Sequence, residues 1–398
     1  MQQHRDTPFG TGVQPFTEPR VRIFRLDLIL LLATLGLIVF SLVTLDSATA
    51  AVAASPHYYA IRQGIYAVAG LVLMIALASI DYSRFRELKT GLYLTMMGLI
   101  LAVLALGGAT RGSRRWFELP FFRFQPSELG KVLLVLALSA FVLDRVRYIN
   151  DRQTTARIML LALVPTLLVM AQPDLGTSII YINIALAVLF VAGTKWTHFA
   201  ALAGLAAAAA TVVLVIAPLA GTPLLKGYQK DRLTAFLHKN NADPRSQGYQ
   251  LNQAQTAIGS GRKTGRGARR ATQTKLGFLP ESHTDFVFAV VGERFGFVGA
   301  GIVLSLYALL IWRALRILTL AKNLYGALLA AGIGAMLMTQ VFVNVGGNVG
   351  IMPITGIPLP LMSYGGSSVI VTLIALGVLQ SVYVQAREAA AGKSEGLS

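Results

Sequence analysis

Cysteine is absent from the 398-residue chain, which excludes disulfides, thiolate nucleophiles and thiolate metal ligands. Charge is scarce as well. Only 13% of the residues are Asp, Glu, Lys or Arg, about half of the roughly 25% found in ordinary soluble domains. Acidic residues are the rarer sign, 18 against 35 basic, leaving a formal net charge of +17. The five histidines fall at no spacing that suggests zinc. What remains is apolar: 55% of the chain is hydrophobic and the mean hydropathy is +0.62. Such a chain faces lipid over most of its length. Its positive charge therefore points to anionic lipid or a phosphate-bearing substrate, and not to nucleic acid.

A helix needs about 20 apolar residues to cross the hydrocarbon. Ten runs meet that need, near 28–46, 61–80, 91–108, 127–146, 157–172, 176–194, 198–218, 287–312, 325–348 and 367–386. The expected fold class is all-α and polytopic, with a large extracytoplasmic loop, 219–285, between spans seven and eight. Residues 1–26 read as a cytoplasmic tail, 27–386 as one membrane domain and 387–398 as a second tail. No small-residue cleavage site follows a short apolar core, so the first span is expected to be retained and not cleaved as a signal peptide. In span seven, the run Ala206 to Ala210 offers a small-residue face suited to close helix packing.

Basic residues mark cytoplasmic loops. Arg20, Arg22, Arg25, the loops at 81–90 and 144–157, Lys195, Arg313, Arg316, Lys322, Arg387 and Lys393 all fall on one side under the ten-span reading, which places both termini in the cytoplasm. Two outer segments break the rule. One carries Arg111, Arg114, Arg115 and Arg123; the other is the long loop, with eleven Lys and Arg from Lys226 to Lys275. Either these bind an anionic ligand or they are a solvated surface against anionic lipid.

Ionisable groups at the edge of the hydrocarbon are functional candidates by default. In Glu281-Ser282-His283-Thr284-Asp285-Phe286, the carboxylate of Asp285 stands where polar chain re-enters an apolar run. It could also cap that helix, and the two roles can coexist. Gln125-Pro126-Ser127-Glu128 reads as a helix start, and Glu128 and Lys131 share a face of span four, either as a local ion pair or as ligands. Trp116 could be an interfacial anchor. The uncharged, breaker-rich stretch from Asn344 to Ser368 should be buried in protein or line a wet cavity.

Taken together, the motifs Arg115-Trp116, Gln125-Pro126-Ser127-Glu128, Gln172-Pro173-Asp174-Leu175-Gly176-Thr177, Gly248-Tyr249-Gln250, Thr272-Gln273-Thr274, Leu279-Pro280-Glu281 through Phe288 and Pro358-Leu359-Pro360 through Ser368 resemble the SEDS family of bacterial cell-wall polymerases. That family has elongation (RodA), division (FtsW) and sporulation (SpoVE) branches, and the stretch Thr355 to Pro360 is most similar to the RodA branch. The resemblance implies a peptidoglycan glycosyltransferase that polymerises lipid II on the outer face of the bacterial cytoplasmic membrane for elongation and shape. Its catalytic aspartate falls on Asp285. Arg115, Trp116, Glu128, Lys131, Asp174, Lys275, Glu281, His283 and Ser363 are implied at the substrate. One departure stands out. Where relatives run Gly-Ser-Gly-Gly and then apolar residues, this chain has Gly259-Ser260-Gly261-Arg262-Lys263-Thr264-Gly265-Arg266.

The implied reaction moves a glycan from polyprenyl pyrophosphate to the GlcNAc 4-hydroxyl of lipid II. It calls for a base on the hydroxyl and cations on the leaving pyrophosphate. A divalent cation, Mg or Mn, would suit the diphosphate; no organic cofactor is expected, and the metal ligands are unknown. A class B penicillin-binding protein with transpeptidase activity is the implied protein partner. A lipid II flippase, a division polymerase and a non-catalytic scaffold are the competing readings. A flippase should string polar groups across the midplane, whereas here they gather at the outer ends.

Overall fold

The computed structural model describes residues 25–48, 57–110, 113–118, 122–219, 247–279 and 281–395. Arg111, Pro280, Arg20, Arg22 and the loop cations from Lys226 to Arg245 lie outside them. Among the described residues, nine helices are long and apolar enough to cross a membrane: α1 (Leu28–Ala48), α2 (Tyr58–Ala78), α3 (Lys89–Leu106), α4 (Pro126–Asp144), α5 (Arg152–Ala171), α7 (Trp196–Leu219), α9 (Val287–Leu320), α10 (Leu324–Val349) and α11 (Gly366–Glu395). A tenth, α6 (Leu175–Val191), is shorter; at 1.5 Å per residue it is about 26 Å long, a few ångströms short of the hydrocarbon thickness. Gln247–Ser260 forms α8 inside the large outer loop. The chain is a multi-pass, all-α membrane protein.

Because the hydrophobic effect does not drive helices together in lipid, small residues at contacts govern how closely they approach. The pairing of α2 with α11 shows this. A Cβ on Gly377 would lie 2.8 Å from the Met74 carbonyl oxygen, and one on Gly70 would lie 2.4 Å from a Leu373 methyl. At the centre stand α4, α10 and α11, which are mostly buried, whereas the apolar stretch of α7 has no buried residue. The close packing expected of Ala206 to Ala210 is therefore not found: all five are exposed. A small-residue run permits close approach but does not compel it.

The ends of α1, α9 and α11 are tied on one face. Arg25 pairs with Glu388 at 2.9 Å. Asp27, 1% exposed, accepts Arg313 Nε at 2.8 Å, and its amide donates to Gln380 Oε1 at 2.8 Å. Both ends of the described chain thus lie on the same side, and α11 continues helically past 386 to Glu395.

The eighth apolar run is not one continuous span. Gly296 holds φ 66 and ψ −160, which breaks α9. Residues 297–320, about 36 Å of helix, are long enough to cross. Residues 287–295 form a separate short helix in which every side chain from Val287 to Arg294 is buried. Hydropathy alone does not distinguish a segment packed inside protein from one facing lipid. The break leaves first-turn N–H groups without helical acceptors, and the basic loop supplies them. Phe297 N donates to Arg262 O at 2.9 Å and Val298 N to Lys263 O at 3.0 Å. This backbone-on-backbone docking requires glycine: a Cβ on Gly296 would meet Gly265 N at 2.3 Å.

Candidate active site

Three antiparallel strands, β1 (Gly108–Thr110), β2 (Ser113–Glu118) and β3 (Arg123–Phe124) in that order, follow α3 and lead into α4. They put Arg115 and Trp116, both half-buried, on β2. The Arg115 Nε is buried with no hydrogen-bond partner among the described residues. Ser367, at the head of α11, anchors this sheet to the bundle: its hydroxyl donates to Arg123 O at 2.9 Å and accepts Gln125 N at 3.0 Å.

The turn carrying Asp285 is held by its backbone. Asn344 and Asn348, one turn apart on α10, both donate their side-chain amides to the Asp285 carbonyl, at 3.1 and 3.0 Å. Asn348 Oδ1 also accepts Ala289 N at 3.1 Å, and Asn344 reaches Ile357 O at 2.8 Å. From the other side, Ser363 Oγ donates to Thr284 O at 2.6 Å and Tyr364 N donates to His283 O at 2.8 Å. The carbonyls of 283, 284 and 285 are thus each fixed from outside the turn. Asp285 lines a small open cleft together with Phe286, Asn344, Gly347, Asn348 and Thr355. The helix start is Phe286, with no side-chain cap bond, so Asp285 does not serve as the N-cap.

His283 packs its ring 4.7 Å from that of Tyr59 and 6.0 Å from that of Tyr364. Burial is the main cause that pushes the Tyr364 phenol up to about 12, so it remains a neutral donor at physiological pH. Glu281 accepts the Thr284 hydroxyl at 3.0 Å. Lys275 is exposed at the end of the short helix Thr272–Lys275.

Four of the expected substrate residues are engaged by partners within the protein. Asp174, 5% exposed, is the N-cap of α6: its carboxylate accepts Thr177 N at 3.1 Å, Thr177 Oγ1 at 3.0 Å and Gln125 Nε2 at 3.0 Å. Ser363, 1% exposed, donates to Thr284 O and accepts Leu359 N at 2.8 Å, so it positions the turn. Glu128 and Lys131 form a buried ion pair at 2.8 Å with side chains 3% and 1% exposed. Their shared face was legible from the i, i+3 spacing; their closure on each other was not.

Sequence reasoning missed Glu293. It is fully buried and accepts Gln273 N at 2.8 Å, Thr274 N at 3.0 Å and Thr274 Oγ1 at 2.5 Å. It fixes the segment bearing Lys275 to the helix that begins just after Asp285. A carboxylate inside an apparent span was the available signal. Asn344 and Asn348 were missed as site residues for want of charge, although two amides at i, i+4 in an apolar helix are also costly in lipid.

Residues 23–388 match the family of cell cycle proteins comprising FtsW, RodA and SpoVE. The chain belongs to this family. Among the relatives of this FtsW/RodA/SpoVE chain is the peptidoglycan glycosyltransferase MrdB of Escherichia coli, 38% identical over 90% of this chain and 93% of the relative. The stage V sporulation protein E of Bacillus subtilis is 35% identical, covering 89% and 96%. In structure, the chain is similar to one from a peptidoglycan synthase complex that coordinates polymerization and crosslinking, with TM-score 0.76 at 34% identity, covering 90% and 97%. It is also similar to the rod shape determining protein RodA of Thermus thermophilus, with TM-score 0.65 at 30% identity, covering 90% and 96%.

Proposed function

We propose that this peptidoglycan glycosyltransferase polymerises lipid II, with Asp285 as the general base that takes the proton from the GlcNAc 4-hydroxyl. The observation that carries this reading is the turn itself. Four hydrogen bonds from α10 and the Ser363–Tyr364 segment fix its carbonyls, and Asp285 lines the cleft. A base must be held in place to act, because misplacement removes much of the benefit of proximity.

The attacking hydroxyl oxygen forms the new bond to the donor's anomeric carbon as the bond to pyrophosphate breaks. Pyrophosphate leaves as an anion, so no second carboxylate acid is required. Arg115 and Lys275 are the cations we assign to the diphosphate, with Glu281, His283 and Trp116 contacting the saccharide. The Glu128–Lys131 pair and Asp174 act on the frame, Asp174 through Gln125, which starts α4. Among the described residues no three His, Cys or carboxylate side chains group as metal ligands. A divalent cation, Mg or Mn, would fit here only in the manner of Mg sites completed by substrate phosphates, with Glu281 and Asp285 as protein ligands. It would neutralise diphosphate charge.

The location proposed is the bacterial cytoplasmic membrane, with termini in the cytoplasm and Asp285 outside. Nine candidate spans and one shorter apolar helix among the described residues, with the shared face of Arg25 and Glu388, support this. The partner proposed is a class B penicillin-binding transpeptidase, in line with the similarity to a synthase complex. Likeness to a rod shape determining protein favours elongation over division.

Purified chain incubated with labelled lipid II tests the function. The expected result is polymer from the wild type and almost none from Asp285→Ala of equal thermal stability. Near-normal polymer from the variant would refute the base assignment. Transbilayer movement of lipid II without polymer would favour a flippase.

A further inference from the structure

Two adjacent basic residues of the outer loop occupy a defined place. Arg262 and Lys263 are exposed, and their carbonyls accept the N–H groups of Phe297 and Val298. Those two residues open the membrane-crossing part of α9 and are 78% and 54% exposed. Their exposed apolar side chains thus stand at the start of the crossing helix, next to the two basic residues whose carbonyls hold it. No carboxylate among the described residues pairs with either cation. Arg266, behind them, is committed to the loop through Ser260 O at 3.0 Å and Thr272 Oγ1 at 3.2 Å.

The second observation is conformational. Arg262 holds φ 48, where glycine would be unstrained and any side chain is disfavoured. A charged residue kept in a glycine conformation points to a use for its side chain. The neighbouring Gly265, at φ 85, shows that the loop does employ glycine where only backbone fit matters.

We propose that Arg262 and Lys263 form a docking point for the phosphate of an anionic phospholipid in the outer leaflet, with its acyl chains lying over Phe297 and Val298. The chemistry is that of lysine and arginine at a membrane surface, where each charge contributes to holding an anionic headgroup. The site stands apart from the cleft. The helix 287–295 separates Asp285 from the break at Gly296 by about 13 Å. The diphosphate of a donor reacting at Asp285 is bonded to the reacting carbon, so it does not reach this far. The ligand is a structural lipid, seated on the joint that ends the helix leading away from Asp285.

The test uses the full chain in nanodiscs of phosphatidylcholine and phosphatidylglycerol, released for native mass spectrometry. Wild type should retain phosphatidylglycerol in preference to phosphatidylcholine. Arg262→Gly and Lys263→Gln should each weaken that retention about five-fold, with a larger loss in the double variant. Arg262→Gly keeps a backbone that suits glycine, so a folded variant is expected; Arg262→Gln provides a second probe that keeps a polar side chain and removes the charge. Lys195→Gln, removing an exposed cation at the opposite end of the bundle, should change nothing. Equal retention by wild type and double variant, or no headgroup preference in wild type, overturns the proposal. Displacement of phosphatidylglycerol by micromolar inorganic pyrophosphate would also overturn it, by showing a polyphosphate site.

Discussion

Two carboxylate centres share this bundle and are built in opposite ways. At the head of α6, Asp174 is surrounded by donors that satisfy its side chain, and nearby on α4 the Glu128–Lys131 pair closes on itself out of solvent. At the turn before α9 the external bonds go to backbone carbonyls, and Asp285 lines a cleft. The first arrangement stores side-chain bonding in the frame. The second fixes the frame by its main chain so that a side chain can meet a ligand. Motif membership alone does not separate these roles; the direction of the hydrogen bonds does.

The largest effect should come from the second centre. Asp285→Ala should reduce polymerisation by about 10²–10⁴-fold without lowering the thermal midpoint, read by glycan yield and a melting curve on the same sample. A matching loss of stability would erase the contrast. In the first centre the signs reverse. Lys131→Met alone should destabilise by about 3–5 kcal/mol, because it leaves Glu128 buried and unpaired. Adding Glu128→Gln should restore most of that, as judged by denaturation in detergent. A folded but inactive double variant would instead give the pair a direct part at the substrate.

Between these lies Asn348→Leu, which removes bonds to Asp285 O and Ala289 N. A loss of about 1–3 kcal/mol in stability is expected, together with a fall in kcat greater than the folded fraction explains. If activity simply tracks folding, the amides hold the bundle and not the base. The smallest effect should be Asp174→Ala, which loses an N-cap worth about 0.5–2 kcal/mol; Asp174→Asn should recover most of it. A collapse of activity in a stable Asp174→Asn protein would move this residue to the reacting side.

Much of the fold was open to reading. Ten runs and their loops follow from hydropathy because lipid requires satisfied backbone and apolar surface over a fixed length. The same criterion failed at residues 287–295, where burial in protein mimics burial in lipid, and at Ala206 to Ala210, where composition allowed a packing that did not form. The site was half legible. Asp285 stood out as a charge at the edge of an apolar run. Glu293 did not, since it lay inside what read as one span.

The residue order by itself determined that this chain crosses the membrane many times, which segments do so and which family it belongs to, for these depend on local composition and contiguous motifs. Only the tertiary structure decided which polar residues are used up inside the frame and which face a cleft. Asp174, Ser363 and Asp285 sit in equally specific motifs, and what distinguishes them includes partners brought to each from about 50 or more residues away. Such partners are set by packing in three dimensions, and no local window of sequence contains them.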